Sequence, residues 1–439
     1  MTPFLDSLRQ GFDALPAALL DAGQLGAARR SAFASLLHDG LPPPRSERWK
    51  YTSLKAFERR RFALPDPLGA ANPTCDHPAL AAIPAPRLVF VNGRYDPALS
   101  QTAALSEGVS LRPLSQALRE DNAGALDFLA QRIDAADEPF ARLNAALALE
   151  GAVLRARDGV QAQAPIHLVH VGVNSADEGT DLAWHLRLSI ELGRGAQLCV
   201  VEHHLACSRH AHLANLFAQV RLAEGAVLHH VRVQDDSQAA TVFNRCDATL
   251  AGKARYQRLD LELGASLSRN ELNIALRGAQ AKATANGVLL ADGTRHLDTR
   301  LNVDHAARDS TCELLWRGLG AARGRAAFHG GILIREGADG TEANLSNKNL
   351  LLSEEAEIDT QPVLVIHADE VKAAHGATVG QLDPGALFYL RTRGLPLRDA
   401  QRLLTVAFCR EPLSAVADSA LAALLAAQLD GRLHASGAL

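Results

Sequence analysis

Lysine is scarce in this chain of 439 residues. Only Lys50, Lys55, Lys253, Lys282, Lys348 and Lys372 stand among its 45 basic residues, and the rest are Arg. With abundant Ala, that bias reflects genome composition rather than chemistry. Cysteine is also sparse and scattered. Cys75, Cys199, Cys207, Cys246, Cys312 and Cys409 come no closer than eight positions, which excludes CxxC redox and zinc-knuckle spacing and offers no disulfide framework. Long apolar runs are missing too. Ala420–Ala427 is among the longest, far short of the roughly 20 residues a membrane helix needs. The first residues, Met1, Thr2, Pro3, Phe4 and Leu5, lack the basic and apolar regions of a secretory signal, which points to a cytoplasmic protein. A net charge of -4 excludes a nucleic-acid or anionic-membrane binder that works by bulk charge. The 47% hydrophobic content excludes disorder and, over this length, builds two or three domains.

Several catalytic motifs are absent. The one Gly-Lys pair, Gly252 and Lys253, is followed by Ala254, and Asp247 occupies the first glycine position of a P-loop, so no Walker hydrolysis is available. There is no GxSxG elbow and no HExxH zinc motif. Gly193/Gly195 and Gly318/Gly320 both lack the third glycine of a dinucleotide fingerprint.

What is present divides by period. Phe4, Leu5, Leu8, Phe12, Leu15, Phe33, Leu36 and Leu37 recur at helical spacing until Pro42, Pro43 and Pro44 stop the helices. Pro-rich connecting chain follows, then a strand at 88–93 and a helix ending near Leu149. From 151 to 372 the period is two. Leu182, Trp184, Leu186, Leu188, Ile190 and Leu192 alternate with Ala183, His185, Arg187, Ser189 and Glu191, and similar sets end in Gly-Ala corners at Gly195, Gly225, Gly264 and Gly278. No helix interrupts this stretch, which argues against crossover βαβ units. The pattern fits a stacked parallel β-helix, and at ~20–25 residues per coil it makes about nine or ten coils. After Gly376 the helical period returns (Leu387, Phe388, Leu390, Leu403, Leu404, Leu421, Leu424, Leu425), as a cap for the terminal coil. The fold class is mainly β: residues 1–150 form an N-terminal helical or mixed domain, 151–372 a parallel β-helix core and 373–439 a C-terminal helical domain.

Histidine is plentiful. Neighbours on a strand face opposite ways, so His203/His204 and His229/His230 cannot chelate one ion as adjacent pairs, whereas His210 and His212 share a face and can hold a metal. The commoner role is a hydrogen-bonded imidazole on a β surface. His296, Asp298, Arg300, Asn302 and Asp304 occupy one strand face. Asp298, Arg300 and Asp304 there suit acid/base work on a sugar chain, which gives an alternative reading as a β-helix carbohydrate-active enzyme; a solvated outer strand has the same pattern. The sharpest segment runs from Asp369 to Gly380, where the period changes. His375, flanked by small residues, is held there at the mouth of the solenoid, either as a cap for backbone groups or as a ligand suited to iron or zinc.

Taken together, Arg269 to Leu272, Asn349 to Ser353, Val371 to Gly380 and Leu387 to Gly394, with Glu47 to Thr52 upstream, resemble the SufB/SufD family of SUF iron–sulfur cluster assembly proteins. The resemblance implies a right-handed parallel β-helix between helical N- and C-terminal domains. It implies a non-enzymatic scaffold subunit that pairs with a SufB-like subunit and docks a SufC-like ABC-type ATPase, where the ATP is hydrolysed, for cluster assembly and iron acquisition. His375 matches the histidine implicated as an iron or cluster ligand at the paired interface. Docking of the ATPase falls to the C-terminal helices, with Phe388, Tyr389, Leu390, Arg391, Arg393 and Gly394 as its surface. No cofactor is bound stably by this chain alone; an iron–sulfur cluster is held transiently in the complex, and neither the residues nor the resemblance assigns a flavin. An isolated chain can also form a homodimer. One departure stands out. The family often carries Cys-Ser before this histidine, and this chain has Ala373 and Ala374, so ligation here uses His375 plus groups of the partner.

Overall fold

The computed structural model describes residues 2–21, 23–65, 75–120, 123–174 and 181–435. Part of the Pro-rich connecting chain, residues 66–74, lies outside them. The period-two stretch winds into a parallel β-solenoid of about seven turns, built from a ten-stranded and a nine-stranded sheet. Each strand pairs with the strand two later in sequence, because successive strands belong alternately to the two sheets. The turn count corrects the expectation of nine or ten. Leu267 pairs with His296 and His296 with Arg325, so one turn takes 29 residues here. Two strands of ten residues, such as His296–His305 and Thr311–Gly320, fill each turn before the corners are added.

Corners stack as well as strands. Gly195 N donates to Glu224 O, Gly225 N to Gly252 O and Lys253 N to Ala279 O, so each corner is hydrogen-bonded to the next. The left-handed position of these corners is held by Gly195 (φ 63) and Gly225 (φ 68), then by Lys253 (φ 58) and Gln280 (φ 63). Gly278 serves a different purpose: a Cβ there would overlap the Gly252 nitrogen of the turn beneath.

The interior column is apolar along much of its length, from Leu88 and Leu168 through Leu216, Leu272 and Leu301 to Leu345. Alternation places the other side chains outward, and these faces are also covered. On the nine-stranded sheet, Ala183, Leu213 and Phe243 pack under the N-terminal helices with Phe4, Leu8, Trp49 and Phe140. On the ten-stranded sheet, Val231, Leu259, Leu261 and Leu290 pack under the C-terminal helix Ser419–Ala435 through Leu421, Leu425, Leu429 and Leu433, a stripe at every fourth residue.

The C-terminal helices therefore do not cap the end of the solenoid; they lie along its side. Their first member begins at Pro384, and the preceding Lys372–Gly380 is a strand that pairs with Glu342–Leu351. The last turn, made of Glu357–Ile366 and Lys372–Gly380, stands at the edge of both sheets. At the opposite end, the short strands Arg94–Tyr95 and Val109–Pro113 pair antiparallel with the first turn and finish the sheets.

Candidate functional site

His375 sits on the edge strand. Its register partner is Leu345, whose side chain belongs to the interior core. Register partners in a parallel pair share a face, so the imidazole stands on the interior row of the last turn, and it is exposed. Its strand carries one charged residue, Lys372, which pairs with Glu342 at 2.9 Å. Beyond Lys372 the edge is Ala373, Ala374, His375, Gly376, Ala377, Thr378, Val379 and Gly380. Val379, Val365 and Ile366 are all more than a third exposed. Edge strands are ordinarily blunted by charge, proline or a covering element. The neighbouring edge strand has Pro362, a residue tolerated at an edge because its missing N–H interrupts no ladder.

The candidate docking segment lies on Pro384–Thr392 and the turn after it. No residue of that helix is buried. Phe388 is 69% and Tyr389 57% exposed, the most exposed large apolar side chains among the described residues. Leu390 is half-buried, and Arg391, Arg393 and Gly394 are exposed. Arg393 donates to Tyr389 Oη at 3.2 Å and lies over its ring, which holds the phenol outward. Leu397 and Leu403 on the adjoining helix Leu397–Arg410 are exposed as well.

Two segments far apart in the chain, Glu47–Thr52 and Arg269–Leu272, meet in a buried network. The Arg269 guanidinium lies 3.9 Å from the centroid of the Trp49 ring and donates to Arg48 O at 2.8 Å. Arg48 pairs with Glu271 at 2.7 Å and with Glu138 at 2.8 Å. Burial opposes charge on Glu271, yet Arg269 and Arg48 hold its carboxyl well below the usual range. These residues rivet the N-terminal helices to the solenoid.

The same network absorbs Asp298, which accepts hydrogen bonds from Thr52 and Arg269 and is buried. Asp304 accepts from Arg335 at 2.7 Å and pairs with Arg277 at 3.1 Å. Burial lowers the pKa of Arg300, and its Nε has no partner. Both carboxylates are held by arginines, Asp298 in the buried network and Asp304 at the surface, which favours structural roles over carbohydrate acid/base chemistry.

His203, His204, His210, His212 and His230 are buried, whereas His229 is half-buried. The rings of His210 and His212 lie 4.7 Å apart, tilted by 34°, and both are buried. His212 Nε2 meets Asp236 at 3.1 Å and His210 Nδ1 meets Ser208 O at 2.9 Å, so hydrogen bonding takes one nitrogen of each. His203 faces outward against His167, 3.0 Å away. His204 faces inward, beside His170 and Glu202, a cluster the sequence reading missed. The available signal was Glu202 and His204 at i, i+2 with another histidine one turn earlier; it is readable only once the register is known.

Residues 173–408 match the SufBD core domain of the SUF system for FeS cluster assembly, and residues 21–168 match the SufBD protein N-terminal region. The chain belongs to the SufBD family. It is similar to the iron-sulfur cluster assembly protein SufD of Escherichia coli, with 30% identity over 91% of this chain and 90% of the relative. A SufBD family protein of Synechocystis shares 29% identity over 88% of this chain and 87% of its own length. SufD of Bacillus subtilis shares 26% over 64% of each. Within the family this chain is SufD-like. No helix among the described residues is long and apolar enough to cross a membrane.

Proposed function

We propose that this chain is a non-enzymatic scaffold subunit of the SUF iron–sulfur cluster assembly complex. It pairs with a SufB-like subunit through the open edge of its last turn and docks a SufC-like ATPase through its C-terminal helices. The observation that carries the reading is the edge strand Lys372–Gly380, which has a strand partner on one side only, little charge and His375 on its interior row. A strand edge of this kind is completed by another strand, and backbone pairing supplies affinity without requiring complementary charge. The partner's groups then surround His375, and an imidazole there suits iron on its way into a cluster. The cluster is cargo of the assembled complex, and the ligands this chain lacks at Ala373 and Ala374 come from the partner.

Docking of the ATPase rests on Phe388, Tyr389 and Leu390, with Arg391, Arg393 and Gly394 around them. Aromatic and Arg side chains of this kind dominate interface energetics. Nucleotide-driven motion of the ATPase then passes through the side-packed helices to the solenoid, since Leu421, Leu425 and Leu429 interlock with its sheet.

Co-purification of tagged full-length chain with the SufB-like subunit and the ATPase, followed by iron and sulfide analysis, tests the whole reading. The expected result is a ternary complex that loses the ATPase when 385–439 are deleted. His375→Ala should preserve the complex and reduce cluster formation in a SUF-dependent strain. Retention of the ATPase by the truncated chain would remove the docking site, and undiminished assembly by His375→Ala would remove the ligand. A homodimer indifferent to the SufB-like subunit would replace the pairing with self-association at the same edge.

A further inference from the structure

The first turns of the solenoid enclose a charged interior. Leu198 and Val200 of the strand Gln197–Ala206 point into the apolar core, and the next two inward positions are Glu202 and His204. On the neighbouring strand Ile166–Gly172, His170 is the register partner of His204. The next strands add His230 and Arg232, then Arg258, Asp260 and Glu262. All are at most 5% exposed.

Within this interior, His170, Glu202 and His204 bring one ligand atom each within 4.8 Å of the others. Glu202 Oε2 is 4.0 Å from His170 Nε2 and 4.0 Å from His204 Nε2. None of those three atoms has a hydrogen-bond partner, although all are sealed from solvent. Buried polar atoms are nearly always satisfied, so three orphans converging on one point call for a shared partner.

The surroundings orient them. Glu202 Oε1 is held by His230 Nε2 at 2.6 Å and by Arg258 at 3.3 Å, which aims Oε2 at the two imidazoles. Burial opposes the charge on Glu202, but the His230 hydrogen bond and Arg258 keep it well below the usual carboxylate range. Burial pushes His170 down to about 4 and His204 also down, so both rings are neutral and offer lone pairs. His170 is further fixed by stacking on Phe90, 5.5 Å away. The carboxylates of Glu202, Asp260 and Glu262 share this interior with the guanidiniums of Arg232 and Arg258, which leaves one negative charge over for a cation to balance.

We propose that His170 Nε2, His204 Nε2 and Glu202 Oε2 bind a divalent transition-metal ion, iron(II) or zinc(II), as a structural ion inside the first turns of the solenoid. Two imidazoles and one carboxylate are a ligand set shared by those two ions. With bonds of about 2.1 Å, a tetrahedral ion sets its ligand atoms ~3.4 Å apart, so the two gaps from Glu202 close by roughly half an ångström on binding and the rings draw together. His230 and Arg258 behind Glu202 act as the outer support such sites require. This centre is separate from the cluster-handling edge. Its strand lies six places from that of His375 in the ten-stranded sheet, ~29 Å at the usual strand spacing.

The test is metal content and metal affinity of the full-length chain. Protein purified anaerobically is assayed for iron and zinc, and a second sample is refolded with cobalt(II) as a spectroscopic probe, because a sealed site fills as the chain folds. About one equivalent of metal per chain is expected, with cobalt absorption typical of nitrogen and oxygen ligands. His170→Asn, Glu202→Gln and His204→Gln should weaken binding by roughly 100-fold, and His375→Ala should retain it, which separates this proposal from the edge reading. His170→Asn removes a ring that has no hydrogen bond of its own, so it keeps the test open if Glu202→Gln does not fold. A chelator should lower the Tm of the parent protein and leave that of His170→Asn unchanged. Metal-free protein in both preparations, or binding unaffected by His170→Asn, would overturn the site and leave a cluster filled by water alone.

Discussion

The two ends of the solenoid handle the same problem in opposite ways. At the first turns, short antiparallel strands finish both sheets, and titratable side chains are sealed inside. At the last turn the strands stay open on one side and the histidine faces solvent. Buried charge demands an exact set of partners, so removing one partner from the first turns is costly. An open edge costs the isolated chain little and becomes valuable only when another chain completes it. His204 and His375 both stand on interior rows, and their position along the stack decides their role.

The sharpest way to break this comparison is to remove one polar side chain from each end. Glu202→Ala leaves His230 without its carboxylate and Arg258 with Asp260 alone, and should cost about 3 kcal/mol, read as a lower denaturation midpoint. His375→Ala should stay within about 0.5 kcal/mol of the parent in the same experiment. Equal losses would erase the distinction.

Acid should act on the enclosed histidines first. Burial pushes His185 down to about 3 and His305 down to about 4, so both are neutral in the folded protein. Their unfolded counterparts take up protons below about 6.5. Stability from these rings is therefore fully present above about pH 6.5 and is lost as pH falls toward 4. For His305 the full drop corresponds to roughly 3 kcal/mol. Tm measured from pH 7 to pH 4.5 should fall steadily, and a flat profile would show that these rings are not buried neutral.

At the open end, effects should appear in assembly rather than in folding. Val379→Glu puts a charge on the exposed edge and should weaken pairing with the SufB-like subunit by at least about tenfold while Tm stays within 2 °C, close to the shift of a surface substitution. Phe388→Ala with Tyr389→Ala should likewise abolish ATPase capture and leave Tm unmoved, since both rings project from a helix with no buried residue. A large drop in Tm for either would mean that the surface is packed within the chain.

Much of this architecture can be read in the sequence because alternation is a local signal. Leu182 to Leu192 declares a strand, and its lack of crossover helices declares a solenoid. The number of turns was not legible, since strand length depends on where the corners fall and Lys253 and Gln280 take left-handed positions that glycine was expected to mark. The side-packed position of the C-terminal helices was hidden for another reason. The stripe of Leu421, Leu425, Leu429 and Leu433 names a buried face without naming what buries it. His375 stood out because small residues isolate it in sequence. His170, Glu202 and His204 did not, because their proximity is created by register between strands one full turn apart.

The central claim is that the strand Lys372–Gly380 is completed by a partner chain. Amide hydrogen exchange of residues 372–380, measured for the isolated chain and for its complex with the SufB-like subunit, tests it directly. The account predicts fast exchange of the outward amides in the isolated chain and strong protection in the complex. Identical exchange in both states, with the complex intact, would contradict it.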